Sequence, residues 1–478
     1  MWILAWLYAC SNVYEPQNPT LDESKVGEST KTGLEYTDSK ISETDTSTDT
    51  NMTDTQTATD SDKETSPAAV YLLAGQSNMA GLSQHTGLPP HLRVSQEDVD
   101  IWWSSMPLWR GLSPSSPHSS GYGIYTGPEV SFGRRMADSD PDRRVYLIKH
   151  AVSGTDLHTF WNPGDSATDS LTTGEGYSVF RETFTAGLRA LSDQGVDYEI
   201  SGVLWMQGES DASAMGSALD YEANLNHFIA RLRQDTGVTD LPVVVGLIAC
   251  EESMCPWRDV VRDAQQAVAE GDESVEAIET ADLGRNHDDP WHYTGQGMRV
   301  LGMRFADAIL GLPQSDVPQP AITLNGNWSH DYTGNFTVGW AFDVANTITV
   351  TDVGKFDIGA DGLSQDSDIG IWRDETFEMV FMGQIPGQGS GPTSLLGGFR
   401  SSGTTEFQLS PGRYVIGVQA FTDSPDEYVH NAGYTTNEEV EYVEYRHQPG
   451  SVLGFPATAG IMGTTGAWFG PTFWYVTQ

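Results

Sequence analysis

Two short segments carry the residue types that nucleophilic catalysis needs. Gly75-Gln76-Ser77-Asn78-Met79 places a serine directly after the apolar run Val70–Ala74, and Asp289-Pro290-Trp291-His292 places an acid three residues before an imidazole. A serine hydroxyl is a weak nucleophile until a base takes its proton, and the base needs a third group to fix its tautomer. Ser77, His292 and Asp289 are candidates for these three roles. At the carboxyl end of a strand, where a helix begins, free backbone N–H groups and the helix dipole favour a developing oxyanion. The alternatives are a helix-capping serine and a surface turn without chemistry. The serine segment is not the G-x-S-x-G elbow, because Met79 stands at the fifth position. His287 is the rival base, but only His292 combines an Asp at minus three with an aromatic neighbour.

Two other loops have the same placement after an apolar run. They are Val152-Ser153-Gly154-Thr155 and Trp205-Met206-Gln207-Gly208-Glu209-Ser210-Asp211. A retaining glycosidase could pair Glu209 with Asp211 or Asp289, but it would leave Ser77 and His292 without a role. A metal centre built on Asp and His lacks a second histidine at ligand spacing.

These loops must be held by a sheet. Apolar runs at Val70–Ala74, Val99–Trp103, Val145–His150, Ile200–Met206 and Val243–Ile248 read as buried strands. Helical patterns fall at Arg181–Leu191, Ala218–Gln234, Asp259–Glu270 and Thr294–Leu310, with Asp259 and Thr294 as N-cap candidates. Strands alternating with helices predict an α/β fold with a parallel sheet covered on both faces, over residues 67–313. In such sheets ligands bind beyond the carboxyl ends of the strands, where all four loops belong. From 320 to 478 the pattern becomes short alternating strands (Phe336–Phe342, Thr347–Val353, Phe377–Phe381, Tyr414–Ala420), which predicts an all-β sandwich or jelly roll. There Asp357, Asp361, Asp366 and Asp368 read as a solvated turn, with Ca²⁺ coordination as the alternative.

The 478 residues hold 25 Lys plus Arg against 66 Asp plus Glu, a formal charge of −41. This excludes a nucleic-acid binder held by phosphate contacts, and an electrostatic grip on anionic lipid. Residues 11–66 contain 13 acidic and 4 basic residues, hence −9, so most of the charge lies in the folded part. That stretch is rich in Thr, Ser, Asp and Glu and reads as a disordered acidic linker. The apolar segment Met1–Cys10 is too short to span a bilayer. It ends Leu7-Tyr8-Ala9-Cys10, which resembles a bacterial lipoprotein box; a cleaved signal and a plain apolar tail are the other readings. The expected location is therefore exported, with membrane contact only through an anchor at Cys10. Cys250 and Cys255 are either a small disulfide loop or two free thiols.

Taken together, GQSNMAG (Gly75–Gly81), GPEVSF (Gly127–Phe132), AVSGT (Ala151–Thr155), QGESDA (Gln207–Ala212) and DDPWHYT (Asp288–Thr294) resemble the SGNH hydrolase superfamily. More narrowly they are similar to the sialate O-acetylesterase and carbohydrate esterase family six group, which includes acetylxylan esterases. The resemblance covers residues 68–311 and implies a three-layer, flavodoxin-like α/β/α domain. It implies a serine esterase that removes O-acetyl groups from a carbohydrate through an acetyl-enzyme, without metal or organic cofactor. Ser77, Asp289 and His292 would be catalytic, with Glu209 as support for His292 or a competitor of Asp289. The oxyanion hole would use the N–H groups of Ser77 and Gly154 and the side chain of Gln207, since Ser210 stands where the superfamily has Asn. Gln76, Asn78, Glu129 and Trp291 would bind substrate, and Trp102, Trp103, Trp109 and Trp161 could line a sugar cleft. The negative charge favours a neutral acetylated polysaccharide or oligosaccharide over a sialoside. The contrasting class is a non-catalytic surface adhesin in which the sandwich is the working part.

Overall fold

The computed structural model describes residues 66–478, apart from 85–87, 115–124, 166–171, 287–288, 326–333, 389, 391–392, 423–425, 427–428, 461–466 and 478. The segment Met1–Cys10, nearly all of the 11–66 linker and the rival base His287 lie outside the described residues. No described helix is long and apolar enough to cross a membrane.

Seven strands form the first sheet: β1 (Ala68–Gly75), β2 (Gln96–Trp103), β3 (Leu108–Leu112), β4 (Val145–Ala151), β5 (Tyr198–Met206), β6 (Val243–Gly246) and β7 (Val275–Ile278). Their order is β3-β2-β4-β1-β5-β6-β7. All pairings are parallel except β2 with β3, so the sheet is mixed, not purely parallel as the sequence pattern predicts. The extra edge strand turns back through the short hairpin after Trp103, too tight for a crossover helix. The fully buried β1 (AAVYLLAG) sits at the centre, as a continuous apolar run demands.

The helices are α1 (Ser77–Ala80), α2 (Glu129–Ser139), α3 (Glu175–Asp193), α4 (Met215–Thr236), α5 (Arg258–Gly271) and α6 (Gly295–Leu310). Alternation along the strands assigns their faces. A Cβ on Gly133 of α2 would meet Leu147, and one on Gly187 of α3 would meet the next residue, Ile148. Tyr71 packs edge-on against Phe132 of α2, while Trp205 lies 4.3 Å from Phe228 of α4. Helices thus cover both faces. Thr294 caps α6, its Oγ1 accepting from Gly297 N at 3.0 Å. Asp259 does not cap α5; that helix starts at Arg258, and Asp259 sits in its first turn, where a carboxylate still complements the dipole.

Beyond α6 the chain is β-rich. One antiparallel sheet contains β8 (Phe336–Val344), β10 (Ser367–Arg373), β11 (Met379–Ile385), β13 (Gly412–Ala420) and β14 (Val440–Pro449). It runs β11-β10-β13-β8-β14, with Thr458–Ala459 at its edge. A second contains β9 (Ile348–Phe356), β12 (Phe399–Leu409) and β15 (Pro471–Thr477) in the order β15-β9-β12, flanked by Gln319–Pro320 and Ser394–Leu396. Trp340 of the first sheet stacks on Phe473 of the second, with 6.2 Å between ring centroids, and its Nε1 donates to Pro471 O. The buried apolar side chains form two separate clusters, one around each set of sheets. Phe377 lies in a turn with φ 58°, outside the strand expected at 377–381.

The two sets meet within one compact unit, Glu64–Gln478. In β9 the register with both neighbouring strands shifts between Val350 and Asp352, the mark of a bulge at Thr351. Asp352 then accepts from Arg299 Nη2 at 3.1 Å and Gln296 Nε2 at 3.2 Å, both on α6. The Arg299 and Asp352 side chains are 3% and 1% exposed. Removing one partner of such a buried pair costs far more than removing both, because the remaining charge stays desolvated. Asp352→Ala should therefore lower unfolding stability by about 3–5 kcal/mol in a denaturant titration. The double replacement Arg299→Met with Asp352→Leu should recover most of that loss; equal losses for the single and double variants would refute the pairing argument.

Candidate active site

The serine turn is built from backbone constraints. Gly75 ends β1 with φ +146°, and a Cβ there would sit 2.0 Å from Met206 O, so no larger residue fits. Gln76 N donates to Met206 O at 2.9 Å, and Val152 N donates to Gly75 O at 3.0 Å. The end of β1 is thereby clamped between the loops after β4 and β5. Ser77 opens α1, where the first N–H groups have no helical acceptor. Gly154 has φ +71° with open space where a Cβ would be, and among the described residues its N–H has no partner. Among the described residues the Ser77 hydroxyl also makes no hydrogen bond.

The imidazole comes from the loop between β7 and α6. Asp289 Oδ1 accepts from Trp291 N at 2.9 Å and His292 N at 3.1 Å, and its Oδ2 lies 2.7 Å from His292 Nδ1. Burial pushes the Asp289 carboxyl up, but the hydrogen bond and charge of His292, with the two backbone N–H groups, outweigh it and hold the group below its ordinary value. An ionised Asp289 keeps the proton on Nδ1 and leaves Nε2 as the basic nitrogen. The loop is closed by Asn286 N donating to His292 O at 3.0 Å and Asn286 Nδ2 to Tyr293 O at 3.0 Å.

Asn78 joins the two loops. Its Nδ2 donates to Trp291 O at 3.1 Å and its Oδ1 accepts from Tyr293 N at 3.4 Å, so one amide grips both neighbours of His292. The same Nδ2 donates to Glu209 Oε1 at 2.8 Å. A second clasp is Ser83 Oγ donating to Tyr293 O.

Several residues expected at the substrate surface are interior instead. Asn78 is 1% exposed and its amide is fully engaged as above. Gln76 is buried, and its Oε1 accepts from Ser210 N at 3.3 Å, Gly208 N at 3.5 Å and Gln207 Nε2 at 3.3 Å. Glu129 is buried in an ion pair with Lys149 at 2.7 Å and accepts from Gly127 N. Gln207 does not offer an oxyanion donor: its Nε2 is surrounded by buried acceptors, Asp211 Oδ2 at 2.6 Å, Thr155 O at 2.9 Å and Gln76 Oε1 at 3.3 Å, which share its two hydrogens. Glu209 is buried, its carboxyl pushed up by desolvation, and among the described residues it makes no hydrogen bond to His292. Among the described residues, the carboxylate bonded to the imidazole is that of Asp289.

Asp211 holds Leu157 N at 2.8 Å and His158 N at 3.3 Å besides Gln207, so it is a loop anchor and not half of a glycosidase pair. Trp102 and Trp161 are core residues, Trp161 packing edge-on against Trp205. Trp103 and Trp109 pack partly buried against the same core. Trp291, beside His292, remains partly exposed.

One feature went unread in the sequence, and one open alternative is decided by the structure. Lys149 is a fully buried cation in the apolar strand VYLIKHA, bonded to Ala80 O at 2.9 Å and to Glu129. It ties the end of α1 to α2, and a lysine inside such a run was the available signal. Cys250 and Cys255, left open by the sequence, form a disulfide. Their loop lies against the site: Glu251 N donates to Pro290 O at 3.2 Å, and Cys255 Sγ is 3.8 Å from Glu209 O.

Residues 67–311 match the family model described as carbohydrate esterase, sialic acid-specific acetylesterase. A probable carbohydrate esterase from Arabidopsis thaliana is 26% identical over 266 residues, covering 51% of this chain and 91% of its own. Among solved structures, an Arabidopsis thaliana protein is similar with TM-score 0.42 and 22% identity, over 51% of this chain and 98% of its own. A carbohydrate acetylesterase from Xanthomonas citri is similar with TM-score 0.38 and 15% identity, over 79% of this chain and 80% of its own. The chain is a carboxylic ester hydrolase and belongs to the sialic acid-specific acetylesterase family of carbohydrate esterases.

Proposed function

We propose that Ser77, His292 and Asp289 form a nucleophile–base–orienter triad that removes O-acetyl groups from a neutral carbohydrate. The observation that carries this reading is the 2.7 Å contact from Asp289 to His292 Nδ1, on a loop that Asn78, the neighbour of Ser77, grips on both sides of the imidazole. His292 Nε2 takes the Ser77 proton as Oγ bonds to the acetyl carbon. The oxyanion is met by the N–H groups of Ser77 and Gly154. Collapse breaks the bond to the sugar oxygen, which receives the proton from His292. Water, deprotonated by the same nitrogen, then releases acetate and restores the serine.

The family description names sialic acid, an anionic sugar, whereas the chain carries −41. At physiological salt the field is screened beyond about 8 Å, so it acts mainly on approach and weak binding. We favour an acetylated polysaccharide such as xylan as substrate. The regions 67–313 and 320–478 would be the esterase domain and an accessory β-sandwich. The apolar segment Met1–Cys10, read as an export signal, and the acidic stretch after it support an exported enzyme held on a surface tether.

Acetate release from acetylated xylan, mannan and O-acetylsialosides tests the substrate. Xylan or mannan should be turned over faster, with the sialoside rate rising as salt is added; a sialoside preference independent of salt would sink the neutral-substrate reading. Ser77→Ala and His292→Ala should each lower kcat on the order of 10⁴-fold or more while the circular dichroism spectrum is unchanged. His287→Ala should cost little. Asn78→Ala should lower kcat by about 10²-fold with a smaller change in KM, as expected for misplaced reacting groups. Asp289 binds fewer protons folded than unfolded, so its contribution to stability is complete above about pH 4 and is lost as pH falls. Asp289→Asn should shrink the drop in Tm between about pH 7 and pH 3; an unchanged drop would show that this carboxylate is not the linked group.

A further inference from the structure

The loop after β9 gathers three carboxylates far from the serine turn in sequence. Asp357, Asp361 and Asp426 bring carboxylate oxygens within 4.8 Å of one another. Asp357 and Asp426 are buried, at 3% and 0% exposure. Like charges this close in the interior repel strongly unless a cation or a proton joins them.

The charge present falls short. Arg400 Nε lies 2.5 Å from Asp357 Oδ2, which also accepts from Gly362 N at 3.1 Å. The remaining oxygen, Asp357 Oδ1, is buried and among the described residues has no hydrogen-bond donor. A buried carboxylate oxygen left in this way costs free energy unless something outside the chain meets it. Burial, with the charge of Asp357, pushes the Asp426 carboxyl up, while Ser364 N, donating to Oδ2 at 2.9 Å, and the charge of Lys355 act the other way. Lys355 is the other cation whose charge acts on Asp426. Among the described residues, the three carboxylates, when all are ionised, outnumber the cations Arg400 and Lys355 by one.

The chain here is built to bend. Asp357-Ile358-Gly359-Ala360-Asp361-Gly362 has positive φ at Gly359 (94°), Ala360 (59°) and Gly362 (99°). Aspartates at the first and fifth positions and a glycine at the sixth share the spacing of loops that wrap Ca²⁺ in oxygen ligands, though Gly359 stands at the third position. The other two aspartates noted in the sequence are engaged elsewhere: Asp366 Oδ1 accepts from Gly387 N at 2.8 Å and Asp368 Oδ1 from Gln384 Nε2 at 2.9 Å.

We propose that Asp357, Asp361 and Asp426 bind one Ca²⁺ ion that fixes the loop after β9. Asp357 Oδ1, Asp361 and Asp426 supply hard oxygen ligands, and Arg400 stays on the opposite oxygen of Asp357. Ca²⁺ suits the site better than Mg²⁺, because it accepts irregular oxygen geometry at longer distances. The competing state is a proton shared between Asp426 and a neighbour, which would leave no metal affinity.

The test uses the full chain stripped with chelator and titrated with Ca²⁺ in a calorimeter against a constant excess of Mg²⁺. One saturable site per chain is expected above any diffuse binding to the acidic surface, together with a Tm rise of about 2–4 °C on Ca²⁺ addition. Asp361 is exposed, so Asp361→Asn leaves the fold intact; it should weaken that site by about 10-fold or more. Asp426→Asn should do the same, while Asp366→Asn should leave it unchanged. No saturable site, or a site unaffected by Asp361→Asn, overturns the proposal.

Discussion

One side-chain amide, that of Asn78, ties the serine turn to the imidazole loop. Ser77 and His292 come from loops separated by more than two hundred residues, and each sits on a turn with little regular structure of its own. Asn78 can bridge them only because Gly75 lets β1 run hard against Met206, which fixes where α1 begins. The bridge also needs a dry setting. In water an amide would exchange these partners at little cost, whereas in the interior each unmade hydrogen bond costs on the order of 1–3 kcal/mol. The shell around it serves that end: Gln76 satisfies the N–H groups of the Gln207–Asp211 loop, Tyr293 is buried with its hydroxyl on Thr280, and the disulfide loop presses on Pro290.

This explains what could and could not be read from the residues. The strands were legible because a buried parallel strand must be apolar along its whole length, and Val70–Ala74, Val145–His150 and Ile200–Met206 are. The Asp289–His292 turn was legible because one short loop contains both partners of a hydrogen bond. Gln76, Asn78 and Glu129 were expected at the substrate surface and Gln207 in the oxyanion hole, whereas all four side chains are buried. Amides and carboxylates are the side chains that bind sugars, and they are equally the ones that knit buried loops together. Type and spacing do not separate the two uses; only the count of donors and acceptors around each does. Helix α2 was passed over because Gly133 weakens its helical signal, yet a Cβ there would meet Val99, Leu112 and Leu147. Strands β3 and β7 are too short to stand out.

The scarcity of cations acquires a structural sense. Arg134 binds Asp98, Arg144 binds Asp100, Arg304 binds Asp282 and Arg413 binds Asp343. Lys149 and Arg299 are buried. With 25 basic residues and many committed to a named acid, few remain to offset the other carboxylates. The surface stays negative because positive charge is placed at joints of the fold.

The contact between Arg299 and Asp352 bears on how such chains are assembled by recombination. Helix α6 starts three residues after His292, and its Arg299 guanidinium pairs with a carboxylate presented by a bulged strand of the β-rich part. A graft that joins this region to another appendage without a matching carboxylate would leave the Arg299 guanidinium covered but unpaired, on the helix that follows the imidazole loop. The seam therefore behaves as a lock with a matching key, and the pair of regions is best treated as one heritable piece.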